Sequence, residues 1–146
     1  MAIVVYKGAR VDLLAGNVTA AADVRVLAVM SGSTAPTDED AVNLANITTL
    51  AEFDGSGYSR IDLASVAVAT DDVNDRHEVT AAAGSFGANV AAGSDPAIGL
   101  VYYRRVDGTA ANDVAWCYND SGGFPFDPGG GAWDLTPSAE GFLQIG

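Results

Sequence analysis

Two short apolar runs rich in β-branched residues, Val24–Met30 and Ile98–Arg104, most strongly limit what this chain can fold into. The first is bounded by Asp23 and by the turn-forming cluster Ser31–Ser33. Short runs of this composition between turn residues predict buried strands. The chain also has 17 Gly, and Gly, Asn, Asp and Ser recur between its apolar runs, as is typical of a β-rich fold with many turns.

Weaker patterns predict the remaining elements. Residues Tyr6–Gly16 fit a short helix that ends at Gly16, whereas Thr37–Leu50 predicts an irregular segment with one or two helical turns. Residues Ser65–Thr70 alternate with a period of two, which predicts a strand with one buried face. Further strands are expected at Tyr58–Leu63, His77–Thr80, Val114–Tyr118, Ala132–Leu135 and Gly141–Ile145.

These elements predict the fold class. The 146 residues are the usual size of one domain. We therefore expect a single mainly β domain over residues 1–146, with one short N-terminal helix and seven or eight strands. The expected architecture is an antiparallel β-sandwich or a barrel-like fold. Ile98–Arg104 and Val114–Tyr118 are expected to form a hairpin.

The charge of the chain limits its partners. The formal net charge is -12, with an isoelectric point near 4.1, which argues against binding to nucleic acid or to an anionic membrane. A merely well-solvated surface accounts for the same charge. No apolar run has the length of a membrane span, and the N-terminus lacks the pattern of a signal peptide, so neither is expected.

The sequence contains no convincing catalytic set, and we expect no enzymatic activity. His77 is the only histidine and lies in a charged stretch, so any histidine-dependent mechanism would have to use it. The single cysteine, Cys117, lies in an apolar run and is expected to be buried. A glycan hydrolase would need two carboxylates across a cleft, and no acid here has an apolar setting that would raise its pKa.

The turn with Asp71, Asp72 and Asp75 is a candidate calcium site, because clustered oxygens on a turn are suitable ligands. The spacing does not match the helix–loop–helix calcium pattern, and Arg76 lies inside the cluster. Asp and Asn also favour turns for backbone reasons alone. A plain turn at Asp71–Asp75 with an Asp–Arg pair is the simpler interpretation, and no other cofactor is expected.

Aromatic residues are the candidate binding groups. Tyr102, Tyr103, Trp116 and Tyr118 lie on the predicted hairpin, where alternation places about half of them in the core. The others would be exposed, as in protein interfaces. Three further aromatic residues lie in or beside the loop 119–131, which is rich in Gly and Pro. That loop either folds back onto the domain or docks on another chain, and a glycan platform is a third alternative. These three residues are Phe124, Phe126 and Trp133.

The order of several motifs resembles that of small virion proteins of tailed bacteriophages, namely head decoration (capsid-cementing) and minor structural proteins. The resemblance spans nearly the whole chain, and it departs at Val42–Phe53 and at the long loop Phe124–Gly131. The motifs that carry it are Tyr6–Arg10 with Leu13–Gly16, Val24–Met30, Gly57–Arg60 with Leu63–Ala64, Val68 with Asp71–Arg76, Gly99–Tyr103 and Ala139–Ile145.

The resemblance implies a β-rich protein that is made in the cytoplasm of a bacterial host and is located on the exterior of the phage head. It implies binding to the major capsid protein, as a homo-oligomer that is often a trimer. A tail or fibre component and a glycan-binding attachment module are the alternatives. The residues expected at the partner interface are Tyr6, Arg10, Arg104, Phe124, Phe126 and Trp133.

Overall fold

The structure is a computed structural model that describes residues 3–146. Within these residues it contains one α-helix, ten β-strands and a single 3₁₀ turn at Leu44–Asn46. The helix is α1 (Lys7–Ala15), and the strands are β1 (Ile3–Val5), β2 (Val24–Met30), β3 (Ile61–Asp62), β4 (Ala67–Asp71), β5 (Arg76–Thr80), β6 (Gly84–Gly87), β7 (Ala97–Arg104), β8 (Val114–Asn119), β9 (Trp133–Leu135) and β10 (Leu143–Ile145).

The strands form three antiparallel sheets. A central sheet has five strands in the order β1-β8-β7-β2-β3, a side sheet has three in the order β10-β5-β4, and β6 pairs with β9 in a small third sheet. The fold is thus mainly β with one helix, which confirms the predicted fold class.

The central sheet is buried on both faces. Alternate residues of β2 point to opposite sides, so Val26 and Ala28 enter one apolar cluster and Leu27 and Val29 enter another. The first cluster is shared with α1, the side sheet and the small sheet. The second is closed by the irregular segment that follows β2, through four buried residues: Ala35, Ala41, Leu44 and Ile47.

The predicted exposure of half the hairpin aromatics was wrong. β7 and β8 do form the expected antiparallel hairpin. However, Tyr102, Tyr103 and Tyr118 are each 2% exposed and Trp116 is fully buried. Both faces of the central sheet are covered, so alternation along these strands moves a ring from one core to the other rather than into solvent.

The structure confirms the helix that was predicted to end at Gly16, which adopts a left-handed conformation with φ of 78°. Strand β2 has the predicted bounds, and Asp71–Asp75 contains the predicted turn. The prediction of one buried face along Ser65–Thr70 was wrong beyond Val66. Residues 67–70 are exposed on both faces of β4, which is the edge strand of the side sheet. No helix in residues 3–146 is long and apolar enough to cross a membrane.

Candidate protein-interaction surface

Helix α1 presents a face to solvent that combines positive charge with apolar side chains. Lys7, Arg10, Val11 and Leu14 are all exposed, and their spacing of three and four residues places them on one side of the helix. Leu14 is 91% exposed and Val11 is 43% exposed. We call these four residues the α1 surface.

The opposite face of α1 is held tightly against β8 and the irregular segment after β2. A Cβ atom on Gly8 would lie less than 3.0 Å from the carbonyl oxygens of both Ala115 and Val42, so only glycine allows this approach. The first backbone N–H groups of the helix are also satisfied, because Lys7 N donates to Glu39 O at 2.9 Å and Gly8 N donates to Ala41 O at 3.0 Å.

A buried carboxylate fastens the middle of the helix to the central sheet. Asp12 is 2% exposed. It accepts hydrogen bonds from Arg104 Nε at 2.7 Å, Arg104 Nη2 at 2.9 Å and Trp116 Nε1 at 2.8 Å. Burial alone would raise the pKa of this carboxyl, but the hydrogen bonds from Arg104 and Trp116 outweigh it and lower the pKa below its usual value.

The two cations of the α1 surface differ from every other Lys or Arg of the chain. Five of the seven cationic side chains form ion pairs with Asp or Glu: Arg25, Arg60, Arg76, Arg104 and Arg105. Within the described part of the chain, Lys7 and Arg10 have no such pair. In a protein of net charge -12, the unpaired positive charge is therefore concentrated on one face of one helix.

The structure separates the residues that were predicted to form the partner interface. Arg10 is exposed on the α1 surface, as an interface residue needs to be. Arg104 lies nearby in the fold but is bound to Asp12. Tyr6 is fully buried and donates its hydroxyl to Ala35 O at 2.8 Å, so the predicted contact of its ring with a partner does not fit the structure. Sequence reasoning missed Lys7, Val11 and Leu14, although their helical spacing around Arg10 was a usable signal.

The loop 119–131 folds back onto the domain, which was one of the three alternatives left open. Phe126 exchanges two backbone hydrogen bonds with Ala97, each 2.8 Å long, and its ring lies 5.1 Å from that of Trp133. Trp133 is 6% exposed and contacts Phe86 with ring centroids 4.5 Å apart. Phe124 is half-buried against the same core. The predicted contact of Trp133 with a partner does not fit this structure, because its ring is part of the core.

The polar turn at Asp71–Asp75 is explained by its own hydrogen bonds. The Asp71 carboxylate accepts from the backbone N–H groups of Val73 at 3.0 Å and Asn74 at 3.2 Å, and from the Asn74 side chain at 2.6 Å. Arg76 Nε lies 3.4 Å from the same carboxylate, which agrees with the Asp–Arg pair expected at this turn. Within residues 3–146 no cluster of three or more His, Cys, Asp or Glu side chains could hold a metal ion, and calcium at Asp71, Asp72 and Asp75 stays an untested hypothesis.

Cys117 is buried, as predicted. Its Sγ atom lies 3.3 Å from the carbonyl oxygen of Phe142, and burial raises the pKa of the thiol well above its usual value. His77 is exposed on β5. Comparison of the chain with protein-family models, with curated proteins and with solved structures found no match.

Proposed function

We propose that this protein is a non-enzymatic structural protein that binds the exterior of an assembled phage head and stabilises it, with the α1 surface as its contact with the major capsid protein. The observation that carries the proposal is the α1 surface itself. Its two unpaired cations and two exposed apolar side chains lie together on one rigidly held helix. The motif resemblance supports the virion setting, and one of its motifs, Tyr6–Arg10, includes the first half of this surface.

The composition of the α1 surface suits a protein contact. Arg is enriched in protein interfaces, where its guanidinium forms paired hydrogen bonds with carboxylates. Burial of Leu14 alone removes a nearly fully exposed apolar side chain from water, which is worth about 1.5–3 kcal/mol. The acidic remainder of the molecule favours approach with this face first, toward an acidic region of the partner.

The anchoring of α1 also favours this use. Contacts of Gly8 and Asp12 with the rest of the molecule order the helix before any partner arrives. A preordered surface loses less conformational entropy on binding than a flexible one does. Weak single contacts can then hold a shell together, because many copies on one lattice bind with avidity.

The proposal is tested by mixing the purified protein with expanded and unexpanded shells of the major capsid protein from the same phage. We expect the wild type to sediment with expanded shells, and Arg10→Glu and Leu14→Asp to lose at least tenfold in affinity. Val73→Asp is the matched control, because Val73 is 93% exposed and Leu14 is 91% exposed. Equal binding by Leu14→Asp and the wild type would show that another surface makes the contact.

Cryo-electron microscopy of the phage particle separates the head from the tail. Density for the protein at regular positions on the outer shell is expected. Density confined to the tail would replace the decoration function with that of a tail or fibre component. The glycan-binding alternative receives no support from the aromatic residues, since Trp133 is buried and Phe126 packs against it.

A further inference from the structure

The side sheet ends in an open strand. β4 pairs with β5 in an unbroken register from Ala67 opposite Thr80 to Asp71 opposite Arg76. Among residues 3–146, no other strand pairs with β4, and residues 67–70 are all exposed. One row of backbone N–H and C=O groups on β4 therefore faces solvent.

The register identifies which backbone groups point outward. The carbonyl of Val79 accepts from Phe142 N at 2.9 Å, so it points toward the β10 side of β5 and away from β4. Val68 is the cross-strand neighbour of Val79, which makes this a non-hydrogen-bonded pair. The N–H and C=O groups of Val68 therefore point to the open edge, and by the period of two those of Thr70 do so as well.

Four of the five residues of β4 lack the side chains by which proteins usually block strand addition. Residues Ala67–Thr70 contain no Lys, no Pro and no charged side chain, and the ladder with β5 has no bulge. Three of the four side chains are Ala or Thr, and the fourth is Val68. Another strand can approach an edge with such small side chains closely.

We propose that β4 pairs antiparallel with β4 of a second copy of this chain, about a two-fold axis at Ala69. In this register Val68 and the partner's Thr70 form a hydrogen-bonded pair, as do Thr70 and the partner's Val68. The outward-pointing groups of both strands are then satisfied. The two side sheets become one continuous sheet of six strands, in the order β10-β5-β4 followed by the partner's β4-β5-β10.

The distribution of charge favours a second copy in this orientation. The acids Asp71 and Asp72 lie only at the C-terminal end of β4. Antiparallel pairing about Ala69 sets Asp71 opposite the partner's Ala67, so that no carboxylate faces another. Parallel pairing would set like charges side by side, which is unfavourable. A two-fold contact uses the same strand on both copies and closes without further growth.

A disulfide cross-link tests the register. Ala69 faces its own symmetry mate across a non-hydrogen-bonded pair with Cα atoms about 4.5 Å apart, which lies within disulfide range. The Cα of Ala67 lies roughly 14 Å from that of the partner's Ala67. We expect mild oxidation to cross-link Ala69→Cys into a covalent dimer at least tenfold faster than Ala67→Cys. The native Cys117 is fully buried. Equal rates for the two variants, or no dimer from Ala69→Cys, would overturn the proposal.

A charge exchange provides the second test. Val68→Lys with Thr70→Glu places opposite charges across the proposed pair, whereas Val68→Lys with Thr70→Lys places like charges there. Sedimentation equilibrium should give a dimer for the first double variant and a monomer for the second. The same mass for both would contradict the register.

The inference does not rest on the proposed function, and the two can fail separately. Leu14→Asp should lose binding to shells but still cross-link through Ala69→Cys. The double lysine variant should lose dimerisation while each copy keeps the α1 surface intact.

Discussion

At the scale of single residues, Asp12 shows how one buried charge holds an exposed helix in place. The carboxylate accepts hydrogen bonds from Arg104, Trp116 and the side chain of Asn17, the last at 3.2 Å. Arg104 and Trp116 lie on adjacent strands of the central sheet, so a single side chain ties α1 to both. The sequence marks Asp12 only as one of 19 acids, because its three donors are distant along the chain or lie in other elements.

We predict that Asp12→Asn lowers the free energy of unfolding by about 3 kcal/mol, because the mostly buried guanidinium of Arg104 then loses its counter-charge. This is the low end of the usual range for a buried pair, since the Arg104 side chain remains 20% exposed. Urea denaturation followed by tryptophan fluorescence measures the change. Asp62→Asn is the control, because Asp62 is 65% exposed and its pair with Arg25 spans 3.4 Å. That variant should change the free energy by less than about 1 kcal/mol. Similar losses in both variants would contradict a special role for Asp12.

At the scale of elements, α1 and β4 differ in how well the sequence predicts them. The bounds of α1 follow from local signals, chiefly Gly16 at its end. The alternation in Ser65–Thr70 predicts a strand correctly but not its exposure, because exposure depends on whether a distant part of the chain packs over the faces of that strand. β1 and β6 were not predicted at all. β6 begins and ends with a glycine, and the strand with which it pairs, β9, lies far away along the chain.

We predict that Gly8→Ala destabilises the protein although alanine is the better helix former. The gain in helix propensity is at most about 1 kcal/mol. The new Cβ would press on the carbonyl oxygens of Ala115 and Val42, and such overpacking typically costs about 1–3 kcal/mol. Thermal unfolding followed by circular dichroism checks the sign. Gly131→Ala is the control, because its nearest atom would be Pro128 O at 3.5 Å, which is ordinary contact. A higher melting temperature for Gly8→Ala would show that the helix does not pack as described.

At the scale of the whole molecule, other parts of the chain pack against both faces of the central sheet. One face is covered by the irregular segment after β2, which contributes Leu44 and Ile47 to the core. The other face is covered by α1 and the two smaller sheets. This arrangement explains why every aromatic side chain of the β7–β8 hairpin is buried, and why the exposed α1 surface and the open edge of β4 lie outside the central sheet.

Acid should unfold the molecule through its aspartates. The pKa values of five of them are lowered in the folded state: Asp12, Asp38, Asp54, Asp71 and Asp107. Near the ordinary value of 3.8 the unfolded chain therefore binds more protons than the folded one. The stability from these groups is present above that pH and is lost as the pH falls through their lower folded values.

The measurement is the free energy of unfolding by urea between about pH 5 and pH 2. We expect it to fall in the wild type and to fall less steeply in Asp12→Asn, which has no proton to gain at that position. Parallel curves for the two proteins would show that the pKa of Asp12 is not lowered by folding.

The sequence alone determined the fold class, the bounds of β2, the helix that ends at Gly16 and the β7–β8 hairpin. These depend on local composition, on periodicity and on turn residues, all of which are visible within a short window of the chain. The candidate site was only partly predictable, since Arg10 was named but the face that it shares with Lys7, Val11 and Leu14 was not.

Only the tertiary structure decided which side chains are covered and which remain free. Burial of Tyr6 and Trp133, the pairing of Arg104 with Asp12, and the open edge of β4 all depend on segments that are distant in sequence and adjacent in space. Whether a ring or a charge can meet a partner depends on those neighbours, since the same residue type in the same local pattern can lie in the core or on the surface.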